Sequence, residues 1–208
     1  MKFEGFNEAD FAVFDVDGLE NRMNAIIKKV RPKLETLGEH FSTSLSVWTG
    51  EEMIAHVAKH ARRSVNPPDD TWVAFANSKR GYKKLPHFQI GLWKTHLFIW
   101  FAVIYESPIK EEFGRKLEKN YSKIVKNIPD TYMWSDDHTK PDSMEQNKLK
   151  KRDFTRMFTR LKEIKKAEIL CGVHLSREEV LSLSGDDQLK KMEETLQNLL
   201  PLYQLAQK

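Results

Sequence analysis

"TWVAFANSKRGYKKLPHFQIGLWKTHLFIWFAVIYE", residues 71 to 106, decides the fold. Three runs inside it, "TWVAFANS", "PHFQIGLW" and "HLFIWFAVIYE", are rich in the aromatic and β-branched residues that suit a pleated, half-buried surface. "KRGYKK" (79–84) links the first two, and Lys94-Thr95 links the second to the third. Two residues can close only an antiparallel turn, because parallel strands need a crossover of about a dozen residues or more. The stretch therefore predicts an antiparallel meander.

Upstream of it, "FSTSLSVW" (41–48) alternates after Phe41 and reads as a further strand, and "FAVFDV" (11–16) reads as a first one. Between them Leu19, Met23, Ile26, Ile27, Val30, Leu34 and Leu37 fall at helical spacing and end at Gly38, with Pro32 predicting a kink or break inside the run. Downstream, Ser107-Pro108 opens a helix that closes at Pro129, with Phe113, Leu117, Tyr121, Ile124 and Ile128 as its apolar stripe. "TYMW" (131–134) is a short strand, 146–166 an amphipathic helix, "AEILCGVHL" (167–175) a strand and 186–206 a last helix. Strands bracketed by helices give an α+β fold, a mostly antiparallel sheet covered by helices. With 40% hydrophobic residues, five Trp and twelve Phe, the 208 residues suffice for one well-cored domain spanning 1–208. Neither "NPPDD" (66–70) nor "SDDHTKPDSM" (135–144) is long enough to demand a boundary.

Composition narrows the setting. The single cysteine, Cys171, has nothing to pair with inside the chain, which points to a reducing compartment. The longest apolar run, Leu97 to Tyr105, has nine residues, against the roughly 20 of a membrane span, and the N-terminus lacks a signal-peptide core. A cytoplasmic location with no membrane partner is expected. The net charge of +4 is unevenly spread: residues 53–105 carry eight Lys/Arg against two Asp/Glu, and residues 148–166 carry nine against two. Such clustering concerns electrostatic partners and not fold.

Three patterns carry chemistry. Asp15-Val16-Asp17-Gly18 matches the nucleophile loop of dehalogenase-type phosphatases, in which the first Asp attacks phosphorus and the second serves as acid/base. It departs at Leu19, and the meander is the wrong architecture for the parallel strands that would supply the other motifs. The plainer role for Asp15 or Asp17 is capping the helix that follows. His56 and His60 in "HVAKHARR" share a side in either helix or strand and could bind zinc with His87 or His96, yet no carboxylate or Cys stands at ligand spacing. No metal site and no cofactor is expected. The third pattern is collective: Lys59, Arg62, Arg63, Lys79, Arg80, Lys83 and Lys84 are interleaved with His56, His60, Gly81, Tyr82, His87 and Trp93. Guanidinium forks bind phosphate and aromatic faces take bases, so this mixture suits nucleic acid or a phosphate-bearing small molecule.

"HVAKHARRSVNPPDDTWVAFANSKRGYKKLPHFQIGLWKTHLFIWFAVIYE", with "FDVDGLENRM" and "VRPKLE" before it, resembles the YktB family of uncharacterised bacterial proteins over the whole chain. The resemblance implies a TBP-like arrangement of strand, helix, four strands and helix, here with an added C-terminal helical part, and it transfers no catalytic residue. The biochemical function is thus open. An anion-binding module using His56, His60, Arg62, Arg63, Lys79, Arg80, Tyr82, Lys83, His87 and Trp93 leads. A small-molecule pocket, perhaps catalytic, lined by His56, His60, His87 and Trp93 is the alternative, ahead of a phosphatase; enzyme activity is not the expectation, and oligomeric state is not legible.

Overall fold

A computed structural model describes residues 3–207 of the chain. Its centre is a seven-stranded sheet: β1 (Ile54–Val57), β2 (Asp70–Ala76), β3 (His87–Trp93), β4 (His96–Val103), β5 (Met133–Ser135), β6 (Met144–Glu145) and β7 (Ile169–Ser176). The spatial order is β1-β2-β3-β4-β7-β5-β6, and every pairing is antiparallel. The meander predicted for 71–106 is β2 to β4, with Leu92 opposite Leu97 across the Lys94-Thr95 turn. The α+β class holds.

Helices cover one face. They are α1 (Glu8–Phe11), α2 (Leu19–Ala25), α3 (Arg31–Thr49), α4 (Lys110–Lys119), α5 (Tyr121–Asn127), α6 (Lys151–Glu163), α7 (Arg177–Ser182) and α8 (Gly185–Gln207). Leu34, Leu37, Phe41 and Leu45 of α3, Phe113 and Leu117 of α4, Phe154 and Phe158 of α6, and Leu196, Leu199 and Tyr203 of α8 join Val73, Phe75, Phe88, Ile90, Ile99 and Phe101 in one continuous core. Gly38 lets α3 come close: a Cβ there would stand 3.0 Å from Ala55 Cβ. None of these helices is long and apolar enough to cross a membrane.

The structure corrects three expectations. Residues 11–16 form no strand; α1 runs into a 3-10 turn over Ala12–Asp15, and Phe11, Val13 and Phe14 are buried from it. A local capping box starts this segment, with Asn7 accepting from Ala9 N and Asp10 accepting from Asn7 N. Helical hydrogen bonds there override a short apolar run whose length suits either state. The strand that would open the TBP-like order is therefore absent. Residues 41–48 belong to α3, which passes Gly38 and stops at Gly50 in a left-handed cap, φ 75°. The Ser alternation misled, because Ser46 and Thr49 turn their hydroxyls back to the carbonyls four residues earlier while Phe41 and Leu45 continue the stripe. Pro32 does disturb the helix, as a π-helical turn over Ile26–Val30 that widens the backbone just before the missing N–H. The helix expected through 107–129 divides at Asn120, whose side chain donates to the Lys116 carbonyl.

Candidate ligand-binding surface

The face of the sheet away from the helices has its own small apolar cluster. Phe98, Trp100, Ala102, Ile104 and Leu170 are buried there, with Trp72, Trp93 and Met133 partly buried against them. No helical residue joins that cluster among the described residues. Pairing explains how it assembles: Trp72 stands opposite Gly91, Gly91 opposite Phe98, Phe98 opposite His174, and Trp100 opposite Gly172. The glycines are obligatory because a Cβ at Gly91 would lie 2.4 Å from Phe98 Cζ, and one at Gly172 would lie 1.8 Å from the Ile99 carbonyl oxygen. Large rings thus occupy the space their cross-strand neighbours leave empty.

Two loops overlie this face. The β2–β3 loop puts Tyr82 on it: Trp72 Nε1 donates to Tyr82 Oη at 3.0 Å, and the Tyr82 ring lies 4.8 Å from His87 and 5.9 Å from His56. Burial pushes the Tyr82 hydroxyl up to about 12. The β5–β6 connection, read from the sequence as a linker, brings Asp137, His138 and Lys140 over the far half. What remains between this loop and Asp70, Trp72, Trp93 and Trp100 is a gap of about 10 Å³, room for roughly one water. Asp70, at its edge, has its carboxyl pushed up to about 6 by burial.

The residues singled out from sequence separate into two sets. His87 is wholly buried, with Nδ1 donating to the Leu85 carbonyl and Nε2 accepting from the Gln89 amide; burial pushes it down to about 4. His60, held in a left-handed conformation at φ 51°, bonds Thr71 Oγ1 and meets Trp72 edge to face, and burial likewise pushes it down to about 4. His56 Nε2 donates to the Ser78 carbonyl. The two histidines of "HVAKHARR" therefore have separate partners; β1 ends at Val57, so neither the helical nor the strand spacing extends to His60. Trp93 lines the narrow gap with Asp70, whereas His56 lines an open depression beside the β2–β3 loop.

The other set lies at an opening to solvent, with its Lys and Arg exposed and Tyr82 partly buried, and His56 borders both sets. His56, Arg80, Tyr82, Lys83 and Lys84 wall an open depression of about 750 Å³ together with Glu106, which pairs with Lys83 at 3.3 Å. Lys79 is exposed in the same loop, and Arg62 and Arg63 in the loop before β2, where Arg63 bonds the Asn66 and Pro67 carbonyls. A second depression, also about 750 Å³, is walled by Tyr105, His138, Lys140, Arg160, Lys166 and Glu168 among others. Tyr105 and Glu106 are consecutive, so the two openings adjoin at one corner of the molecule. Tyr105 is 44% exposed there. Sequence patterning missed Tyr105, Asp137, His138 and Glu168, because no spacing rule links a loop to a strand about 30 residues on.

Asp15 ends a 3-10 turn and Val16-Asp17-Gly18 follow it, and no parallel strand exists among the described residues. Asp15 is ion-paired with Lys94, which holds its carboxyl below the usual range. Neither acid caps α2, whose N-cap is Gly18 with φ 81° and no side-chain bond. The dehalogenase-type motif thus lacks the strand end that would present it.

A family model described as "Domain of unknown function (DUF1054)" matches residues 6–203. The chain belongs to the DUF1054 family. A UPF0637 protein of Bacillus licheniformis is 55% identical over 203 residues, covering 98% of this chain and 96% of its own length. One from Bacillus velezensis is also 55% identical, covering 98% and 97%, and one from Bacillus cytotoxicus is 54% identical over 99% of both chains. The resemblance carried by residues 56–106 thus extends across a DUF1054 chain whose relatives bear names without a function.

Proposed function

We propose that this DUF1054 protein is a cytoplasmic binding module for an anionic, phosphate-bearing ligand, with single-stranded nucleic acid the leading candidate. The supporting observation is the shared corner at Tyr105 and Glu106, where the depression walled by Arg80, Lys83 and Lys84 adjoins the one walled by Lys140, Arg160 and Lys166. Arg80, Lys83 and Lys84 come from the first basic stretch of the sequence and Arg160 and Lys166 from the second, with Lys140 added by the β5–β6 connection. Lys83, Lys140 and Arg160 are offset by Glu106, Asp137 and Asp136, whereas Arg80, Lys84 and Lys166 have no carboxylate partner among the described residues. Those three are free to meet phosphates, and the exposed Tyr105 ring gives a base a surface to stack on. A buried lone thiol suits a cytoplasmic setting, and among the described residues no helix is long and apolar enough to cross a membrane.

Fluorescence anisotropy of labelled single-stranded RNA and DNA tests this. Three phosphate contacts on a single strand imply that affinity falls by about twentyfold between about 50 and 200 mM salt. Micromolar binding with that salt dependence, lost in an Arg80→Ala, Lys84→Ala, Lys166→Ala variant and weakened in Tyr105→Ala, is expected. Absence of binding at low salt, or binding indifferent to the triple substitution, would refute it.

A further inference from the structure

We propose that Asp137, His138 and Glu168 form a site for a divalent transition-metal ion. Their ligand atoms, one from each residue, lie within 4.8 Å of one another, and among the described residues no other group of three His, Cys, Asp or Glu side chains converges so closely. His138 Nδ1 and Glu168 Oε2 are 2.7 Å apart and joined by a hydrogen bond. Metal–nitrogen and metal–oxygen bonds of about 2.1 Å in a tetrahedral site separate neighbouring ligand atoms by about 3.4 Å, so opening this contact by about 0.7 Å admits an ion. Asp137 Oδ1 is held by the backbone N–H of Thr139 at 2.9 Å and its hydroxyl at 2.6 Å, which fixes the second carboxylate in place. The His138 ring is itself oriented by near-parallel stacking on Tyr105, with centroids 6.4 Å apart.

Charge supports the same reading. Glu168 is only 6% exposed, its carboxylate meets the His138 ring and accepts from the His138 backbone N–H, and a cation there would compensate its buried charge. Lys110 lies near enough to feel it, but its ammonium donates to the carbonyls of Ile164 and Ala167. Lys140 reaches Asp137 at 3.3 Å and is itself 63% exposed, so it is easily displaced. A divalent ion would neutralise both carboxylates at once. The imidazole nitrogen favours Zn2+ over Ca2+, and the two carboxylates also suit Mn2+. Three protein ligands beside an open depression leave a coordination position for water or an incoming group, unlike a closed structural site.

The test uses the full chain made without a His-tag, treated with EDTA and desalted. It is titrated with Zn2+ by calorimetry and with Mn2+ by loss of the free-ion electron paramagnetic resonance signal. One equivalent should bind at micromolar or lower dissociation constant, weakened at least tenfold by Glu168→Gln and by Asp137→Asn and unchanged by His174→Asn. Asp137 sits on an exposed loop, so its variant keeps the fold even if Glu168→Gln loosens it, and circular dichroism checks both. No stoichiometric uptake, or uptake equally tight in Asp137→Asn combined with His138→Ala, would overturn the assignment. So would binding of Ca2+ in preference to Zn2+ and Mn2+.

Discussion

Gln146 sits where α5, the β5–β6 hairpin and the approach to α6 meet, and replacing it with Leu should unfasten all three. Its Oε1 accepts from Trp134 Nε1 at 3.0 Å, and its Nε2 donates to the carbonyls of Ile128 at 2.9 Å and Val125 at 3.1 Å. The Val125 carbonyl depends on this bond because its normal helical donor, four residues on, is Pro129, which has no N–H. Trp134 is 1% exposed and Gln146 itself 4%, so water cannot replace what is lost. An unpaired buried indole N–H costs about 2 kcal/mol and each carbonyl about 1 kcal/mol, for a total of about 4 kcal/mol. Leu keeps the volume, so cavity formation adds little. At about 2–4 °C per kcal/mol for a chain of this size, the midpoint of thermal unfolding should fall by about 8–16 °C. Urea denaturation measures the free energy directly, and a double-mutant cycle with Trp134→Phe isolates the indole bond at about 1–2 kcal/mol. A loss under about 1 kcal/mol for Gln146→Leu, at unchanged slope, would show that the amide does not clamp this junction.

Other consequences can be measured with the same tools. Gly172→Ala should abolish soluble expression or cost more than about 3 kcal/mol, since its Cβ would stand 1.8 Å from a β4 carbonyl, whereas Gly50→Ala meets open space and suffers only its left-handed backbone, about 1 kcal/mol; similar stabilities in urea for the two would contradict the packing argument. His60, His87 and His96 are pushed down to about 4 and His174 to about 3, so between pH 6.5 and about 4 the unfolded chain binds protons that the folded one refuses. Stability must fall as pH drops through that window, with about three protons taken up on unfolding at pH 5 after Asp70 has released about one, a slope of about 4 kcal/mol per pH unit near there; a flat denaturation profile from pH 7 to 5 would refute the burial of these imidazoles. Asp70 works in the opposite sense: its raised carboxyl favours folding below about pH 4, and the benefit is lost as pH rises through about 6. Asp70→Asn should therefore stabilise the protein by about 1–3 kcal/mol at pH 8 and be neutral at pH 4 in urea titrations.

The meander was legible because its evidence is local. Aromatic and β-branched runs separated by a two-residue link leave one pairing direction, and β2 to β4 follow it. The stripes of α4, α5, α6 and α8 could be read for the same reason, each depending on residues three or four apart. Local evidence failed where two periods overlapped. Ser and Thr at 42–49 alternate with apolar residues as a strand would, and only the packing of Phe41 and Leu45 on the sheet, with hydroxyls bonded back along α3, decides for helix. "FAVFDV" is short enough for either state and is resolved by the burial of Phe11, Val13 and Phe14 in the common core and by the Asn7 cap.

For the site, the sequence by itself determined composition: two basic stretches, an aromatic-rich sheet and a Tyr in the β2–β3 loop. Which of those residues would be structural lay beyond it, since His87 and Gln89 satisfy each other only once β3 is buried between β2 and β4. The pairing of β4 with β7, about 70 residues away, creates the second face, and β5 joining β7 carries its loop across to set His138 against Glu168. Hydrogen-bonded turns and stripes are fixed by neighbours within about four positions, whereas a convergence of side chains from distant strands exists only when the sheet order is known. That order was the decision of the tertiary structure, because burying the common apolar face, not any single segment, selects it.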